Sequence, residues 1–238
     1  SARSERTKAI VPVHLYGQPC DLEAVTRFAR AHGLFVIEDC AQSHGALYRG
    51  QRTGSWGHAA AFSFYPTKNL GCLGDGGAIV TRDASLHEKL RALRQYGWDD
   101  NRISRCAGWN SRLDELQAAV LRVKLARLEE SNERRIRIAR TYDRLLSGVP
   151  ELTLPSLIPG TTHVYHQYVL RCPHPHARAV RVDAARARSM PGVRAVLTGE
   201  SPEAALDWHY TREMKERLFD PHCRFEGSVV AAVAGVGS

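Results

Sequence analysis

The sequence predicts an α/β fold on a mostly parallel sheet, followed by a small mixed α/β piece, and three observations carry that prediction. Short runs apolar on both faces, at residues 9–13 and 34–37, flank a segment whose apolar residues recur at helical spacing, the pattern of a βαβ unit with parallel strands. The 238 residues, 43% of them hydrophobic, suffice for one large domain or for a domain with a smaller companion. Beyond residue 173 the composition turns to Ala, Val and Arg with few aromatic core positions, which sets a second unit apart.

The elements follow in chain order. Ala9-Ile10-Val11-Pro12-Val13 reads as a buried strand feeding the loop His14-Leu15-Tyr16-Gly17. Asp21 is placed to cap a helix whose Leu22, Val25, Phe28 and Ala29 share a face, and Gly33 stands where a left-handed C-terminal cap belongs. Leu34 to Ile37 is the next strand, with Asp39 at its carboxyl end, where such sheets bind ligands. Residues 59–64 and 78–81 give two more strands, with Lys68 just beyond the first and glycines 71, 74, 76 and 77 between them. A helix over 85–96 turns Leu86, Leu90 and Leu93 inward, and a long helical region with one break runs from Ser111 to Leu146 with a charge-rich outer face. Pro150, Pro155, Pro159 and Gly160 mark a linker, after which residues 163–170 read as a strand; three further short strands are expected at 179–182, 193–197 and 229–233.

The formal charge of +8 comes from 33 Lys and Arg that are interspersed with carboxylates, so no basic run of the kind that binds nucleic acid is formed. Six cysteines at 20, 40, 72, 106, 172 and 223 form no CxxC pair and no zinc-like spacing, and read as reduced thiols of a cytoplasmic protein. His163 and His166, three apart in an expected strand, point to opposite sides and make a poor metal pair; no metal is expected. The opening residues are polar, nothing approaches eighteen consecutive apolar residues, and a soluble chain without membrane or nucleic-acid partners is expected.

The chemistry concentrates at Phe62-Ser63-Phe64-Tyr65-Pro66-Thr67-Lys68-Asn69-Leu70-Gly71 and the following Gly74-Asp75-Gly76-Gly77. A lysine at the exit of an apolar strand, followed by a glycine loop, presents an amine to a carbonyl-bearing, phosphorylated cofactor. Pyridoxal phosphate needs an amine to form an imine, a carboxylate to keep its pyridine nitrogen protonated and donors for its phosphate; Lys68, Asp39 and Ser63 can supply these in turn. Freed by an incoming amine, Lys68 can also move the proton between substrate and cofactor carbons. Plainer readings stand beside these: Asp39 as the cap of the next turn, Gln42 and Ser63 as ordinary loop polar groups, Asn110 as part of a helix N-cap, and His44 as structural.

Three ordered segments, Val36-Ile37-Glu38-Asp39-Cys40-Ala41-Gln42-Ser43-His44-Gly45, residues 62–77, and Gly108-Trp109-Asn110-Ser111-Arg112-Leu113-Asp114-Glu115-Leu116-Gln117, make residues 7–170 resemble the DegT/DnrJ/EryC1/StrS family of nucleotide-sugar aminotransferases. The resemblance implies a truncated fold type I pyridoxal phosphate transferase, a three-layer α/β/α architecture, with residues 1–147 as part of its major domain and 148–172 as the start of its small domain. It implies Lys68 as the Schiff-base lysine, Asp39 on the pyridine nitrogen, Gln42 near the ring hydroxyl and Ser63 on the phosphate. Asn110 would reach the phosphate of a neighbouring subunit, in a homodimer. Lysine at position 68, rather than the histidine of dehydrating relatives, favours amino transfer; the substrates implied are a nucleotide-linked keto-deoxysugar and an amino-acid donor.

Two departures from that family are visible. The part of the family pattern that carries a glycine-threonine phosphate turn and the aromatic that stacks on the ring would lie before Ala9, so this chain is expected to enter mid-domain. Residues 173–238, with Leu170-Arg171-Cys172-Pro173-His174-Pro175-His176, Met190-Pro191-Gly192-Val193 and Leu218-Phe219-Asp220-Pro221, resemble the hammerhead region of the large subunit of xanthine dehydrogenase and aldehyde oxidase type molybdenum enzymes. The switch falls between Val169 and Pro173, as at a junction of two partial genes. The expected functions are therefore an incomplete sugar aminotransferase module, a non-catalytic fusion remnant or interaction chain, and a fragment of a molybdenum hydroxylase lacking its metal-site residues.

Overall fold

The computed structural model describes residues 3–171, Ala185, Ser189 and four later strands, whose backbone alone is described. The expected strand at 179–182, Cys172 and Cys223 lie outside the described residues, as do residues 229 and 230 of the last expected strand. The chain divides into two compact units, one of Ser1–Leu145 with Pro155–Tyr168, the other of Leu146–Leu154 with Val169–Ser238.

The first unit is built on the βαβ pattern read from the sequence. Strand β1 (Ala9–Ile10) leads through a 3-10 turn, Leu15–Gly17, to helix α1 (Leu22–Ala31) and strand β2 (Phe35–Asp39), which runs parallel to β1. Asp21 caps the helix by accepting from Ala24 N at 2.9 Å. At the other end Gly33 takes φ +62°, Leu34 N donates to Ala29 O and Gly33 N to Arg30 O, the paired bonds of a Schellman cap. That cap folds Leu34 onto Ala29, and with Val36 they form a buried cluster packed against Ile10 and Val25.

A hairpin, β3 (Leu47–Tyr48) and β4 (Gln51–Arg52), precedes β5 (Ala59–Ser63), which adds to β2 in parallel, with Asp39 opposite Ala61. Strand β6 (Gly77–Thr81) then closes the four-stranded sheet antiparallel to β5, in the order β1-β2-β5-β6. Strand β2 alternates rather than being buried on both faces: Val36 and Glu38 are enclosed while Phe35 is 60% and Ile37 40% exposed, so among the described residues one sheet face is covered and the other open.

Helix α2 (Ala84–Arg94) is capped by Asp83, and its Leu86, Leu90 and Leu93 are partly covered. The long helical region is two helices, α3 (Glu115–Leu125) and α4 (Leu128–Leu146), the first starting at Glu115 rather than Ser111 because Asp114 is the cap, accepting from Leu116 N at 2.8 Å. Leu121 and Leu128 bury against Leu70 and Cys72 and bring these helices onto the glycine loop. The strand expected at 163–170 is not formed. Only β7 (Thr161–Thr162) pairs, with β3, and Tyr165 at φ +44° turns the following residues out of the extended conformation.

In the second unit Thr153 and Arg171 exchange both backbone hydrogen bonds. Strand β8 (Val193–Thr198) falls where the sequence placed one, β9 (Asp207–Thr211) and β10 (Met214–Arg217) form an antiparallel hairpin, and β11 (Ala231–Gly235) pairs antiparallel with β8.

Candidate active site

The site is assembled at the carboxyl ends of the parallel strands. Asp39 ends β2, and the pairing of Asp39 with Ala61 puts Ser63 two residues further along the neighbouring strand, at the same sheet edge. Both backbone groups of Asp39 are held by the chain beyond β1, its N–H by Pro12 O at 2.9 Å and its carbonyl by His14 N at 3.1 Å. Its carboxylate does cap the next turn, Oδ1 accepting from Ala41 N at 3.0 Å, and among the described residues no cation pairs with it. Capping therefore engages Oδ1 and leaves Oδ2 without a hydrogen-bond partner among the described residues.

Gln42 lies on that turn and its Oε1 accepts from Tyr16 N at 2.6 Å, so its amide N–H groups are the ones left to donate. Ser63 Oγ accepts from Tyr65 N at 3.3 Å and stays half-buried. Lys68 sits in the turn that follows, its backbone N–H donating to Tyr65 O at 2.9 Å. No carboxylate among the described residues pairs with its ammonium. Asn110 is exposed, bridged to Gln95, and its Oδ1 accepts from Arg112 Nε at 3.1 Å; its side chain makes no hydrogen bond to the other four among the described residues.

Sequence reasoning missed the groups that surround Lys68. Asn69 Nδ2 donates to Asn132 Oδ1 (2.9 Å) and to Val164 O (3.0 Å), and Asn132 Nδ2 donates to His44 O (2.8 Å), which ties the lysine turn, α4 and the loops after β2 and β7 together. A signal for this was present: Asn132 follows Leu128 by four residues on the inward stripe of α4, an unusual place for an amide. His44 and His166 complete the surround. Burial pushes the His44 imidazole down to about 4; the Ser63 backbone works against this, and the nearby His166 and Lys68 charges reinforce it. Burial also lowers His166, again with Lys68 adding to it. Asn69 Oδ1, His166 Nδ1 and both His44 ring nitrogens are buried without a hydrogen-bond partner at normal geometry among the described residues.

The glycine loop is a rigid support. A Cβ on Gly71 would lie 2.6 Å from Pro66 O and 2.7 Å from Tyr65 O, the second being the carbonyl that holds the Lys68 backbone. Lys124 Nζ donates to Gly71 O, and Gln117 Oε1 accepts from Leu73 N at 2.8 Å, so α3 clamps the loop from outside. Gly71→Ala is expected to cost about 1–3 kcal/mol, since the atoms it would meet are backbone rather than the far end of a flexible side chain. Urea denaturation followed by tryptophan fluorescence measures this; an unchanged midpoint would contradict the crowding.

Behind Asp39 lies a second polar cluster. His14, Glu38 and Cys40 bring ligand-type atoms within 4.8 Å of one another. The donors are already committed, however. Glu38, fully buried, accepts from Trp56 N and Gly57 N at 2.8 Å each, from Gly54 N at 2.7 Å and from His14 Nε2 at 3.1 Å. His14 Nδ1 accepts from Cys20 N at 3.2 Å, which fixes the tautomer with the proton on Nε2. Burial pushes the Cys40 thiol up to about 12, far from a thiolate. Burial alone would raise Glu38, but the bonds from His14, Gly54, Gly57 and Trp56 outweigh it and hold the carboxyl below its usual range.

Residues 1–193 match the model of the DegT/DnrJ/EryC1/StrS aminotransferase family, and residues 158–236 match that of the aldehyde oxidase and xanthine dehydrogenase a/b hammerhead domain. The chain is 53% identical over 171 residues to the erythromycin biosynthesis sensory transduction protein EryC1 of Saccharopolyspora erythraea, covering 72% of this chain and 47% of that one. It is 52% identical over 170 residues to a dTDP-3-amino-3,4,6-trideoxy-alpha-D-glucose transaminase of Streptomyces venezuelae, covering 71% and 45%. Among solved structures it is similar to S. venezuelae DesV in complex with a ketimine intermediate, with TM-score 0.71 and 45% identity over 84% of this chain and 54% of that chain. It is also similar to NtdA of Bacillus subtilis with bound PMP, with TM-score 0.64 and 31% identity over 72% and 39%. The chain spans about half the length of the curated relatives it matches.

Proposed function

The chain belongs to the DegT/DnrJ/EryC1/StrS aminotransferase family, and from that membership we propose that it carries the lysine-bearing part of a pyridoxal phosphate site that moves an amino group from an amino acid to a nucleotide-linked keto-deoxysugar. One observation carries the reading. Lys68, unpaired with any carboxylate among the described residues, shares a sheet end with the half-free carboxylate of Asp39, amid buried polar atoms that lack partners. Such atoms are ones a polar ligand would satisfy, and the donor set fits this cofactor.

When bound, the cofactor supplies a carbonyl for attachment and an electron-withdrawing ring. Lys68 Nζ would be the attachment point, and its amine, when free, would be the base placed to hold and move a proton. Asp39 holds the proton on the ring nitrogen, Gln42 donates to the ring hydroxyl, and Ser63 Oγ takes part in holding the phosphate. Asn110, exposed and not hydrogen-bonded to these, serves the phosphate of a neighbouring subunit in a homodimer. The names of the relatives, transaminases of dTDP- and UDP-linked sugars, support the substrate class. The cysteines described are free thiols, which accords with a cytoplasmic enzyme, and no helix among the described residues is long and apolar enough to cross a membrane. Residues 1–147 would form the transferase part and 173–238 a hammerhead-like segment, the switch at 169–173 falling inside the overlap of the two family matches.

The hammerhead match over residues 158–236 favours one second reading, a non-catalytic fusion remnant that keeps the scaffold. A half-reaction separates the two. Protein incubated with pyridoxal phosphate is expected to change its visible absorption on addition of L-glutamate and to recover it on addition of a dTDP-linked keto-deoxysugar. Absorption that ignores both additions would favour the remnant.

A further inference from the structure

The buried pair behind the site has a geometry that a simple core contact would not need. Glu38 immediately precedes Asp39 in the strand, and His14 donates its backbone N–H to the Asp39 carbonyl while its ring donates to the Glu38 carboxylate. One residue therefore holds both the main chain of Asp39 and the side chain before it. The ring itself is locked from the far side by Cys20 N, and the carboxylate by the backbone N–H groups of Gly54, Trp56 and Gly57. Every lone pair that could let the pair swing is engaged, and both side chains are fully excluded from water.

We propose that His14 and Glu38 are positioning residues that hold Asp39 where it meets the ring nitrogen of the cofactor, an inference that rests on the functional reading of Asp39 given above. The pair touches no ligand and acts only through Asp39. A carboxylate that must face one ring atom gains from a strand end that cannot slide, and a short two-residue β1 supplies little of that rigidity by itself. The chain adds a side-chain ladder, His14 to Glu38 to the 54–57 loop, to the isolated parallel bridge between Val13 and Asp39.

The test is a double-mutant cycle on the full chain, read as the dissociation constant of pyridoxal phosphate by absorbance titration in wild type, His14→Gln, Asp39→Asn and the double variant. His14→Gln is expected to weaken binding about tenfold in the wild-type background, and less than about twofold when Asp39 is already Asn. Equal losses in both backgrounds overturn the proposal, because a residue that only supports the fold weakens binding whatever stands at 39. Amide hydrogen exchange on cofactor-free protein provides a second arm. His14→Gln and Glu38→Gln are expected to speed exchange at residues 38–40 at least about tenfold while α1 and α4 keep their protection. Unchanged exchange at 38–40, or a rise spread evenly over the unit, overturns it. If the wild type shows no binding that depends on Lys68, the functional reading fails, and the exchange arm still decides whether the pair holds Asp39.

Discussion

Lys68→Ala is expected to leave a protein that folds but transfers amino groups at least about a thousandfold more slowly than the unsubstituted chain. The size follows from two roles held by one atom. Loss of the attachment amine would remove the cofactor's covalent anchor, and loss of the base removes the proton transfer, which alone contributes about 100- to 10,000-fold. The fold should survive because Nζ makes no ion pair with a carboxylate among the described residues, and the backbone bond from Lys68 N to Tyr65 O is independent of the side chain. Stability is therefore expected to change by less than about 0.5 kcal/mol. Turnover of the Lys68→Ala protein within tenfold of the unsubstituted chain would remove Lys68 from the chemistry.

Acid is expected to destabilise the first unit at a pH where carboxylates are still ionised. Burial holds His44 and His163 at about 4 against an ordinary value of 6.5. Both are therefore neutral when folded and become cationic only on unfolding, so below pH 6.5 the unfolded chain binds the extra protons and stability falls as pH falls. At pH 5 the gap of about 1.5 units costs about 2 kcal/mol for each imidazole, about 4 kcal/mol together. The loss continues until the pH reaches the folded value near 4. Glu38 acts lower still: its carboxyl lies below the usual range, so its contribution is complete above about pH 4.5 and is lost only as the pH falls through its folded value. Urea unfolding at pH 7 and pH 5 measures the first effect, and His44→Leu is expected to remove about half of it. A midpoint that stays flat between these pH values would show that neither imidazole is sheltered as described, and a slope untouched by His44→Leu would show that His44 is not.

The elements that were readable from the sequence are those with local chemistry at their ends. Asp21 and Gly33 delimit α1 by a side-chain cap and a left-handed glycine, and the strand on either side follows from that helix. Where a boundary depends on a competing cap it moved, as at Asp114, which takes the N-cap role and leaves Ser111 outside the helix. The hairpin of β3 and β4 was invisible because its strands are two residues long and show no period, although the Arg49–Gly50 turn, both at positive φ, is a hairpin connection. Residues 163–170 have strand composition, yet their backbone hydrogen bonds go to Tyr16 and Gly17 and Tyr165 adopts positive φ, which no single-residue propensity encodes. For the candidate site, the position of Lys68, Asp39, Gln42 and Ser63 at or just past a strand end was legible from the strand pattern. His14, Glu38, Asn69 and Asn132 were not, because what defines them is partners 24, 63 and 88 residues away.

The most direct test of the central assignment is chemical trapping. Protein incubated with pyridoxal phosphate is reduced with borohydride and digested, and the added mass is located by peptide mapping across Lys8, Lys68, Lys89, Lys124 and Lys215. The expected result is one stoichiometric label on the peptide that carries Lys68, absent from Lys68→Ala. Label distributed over the other lysines, or none at Lys68, would contradict the assignment of this lysine as the cofactor's anchor.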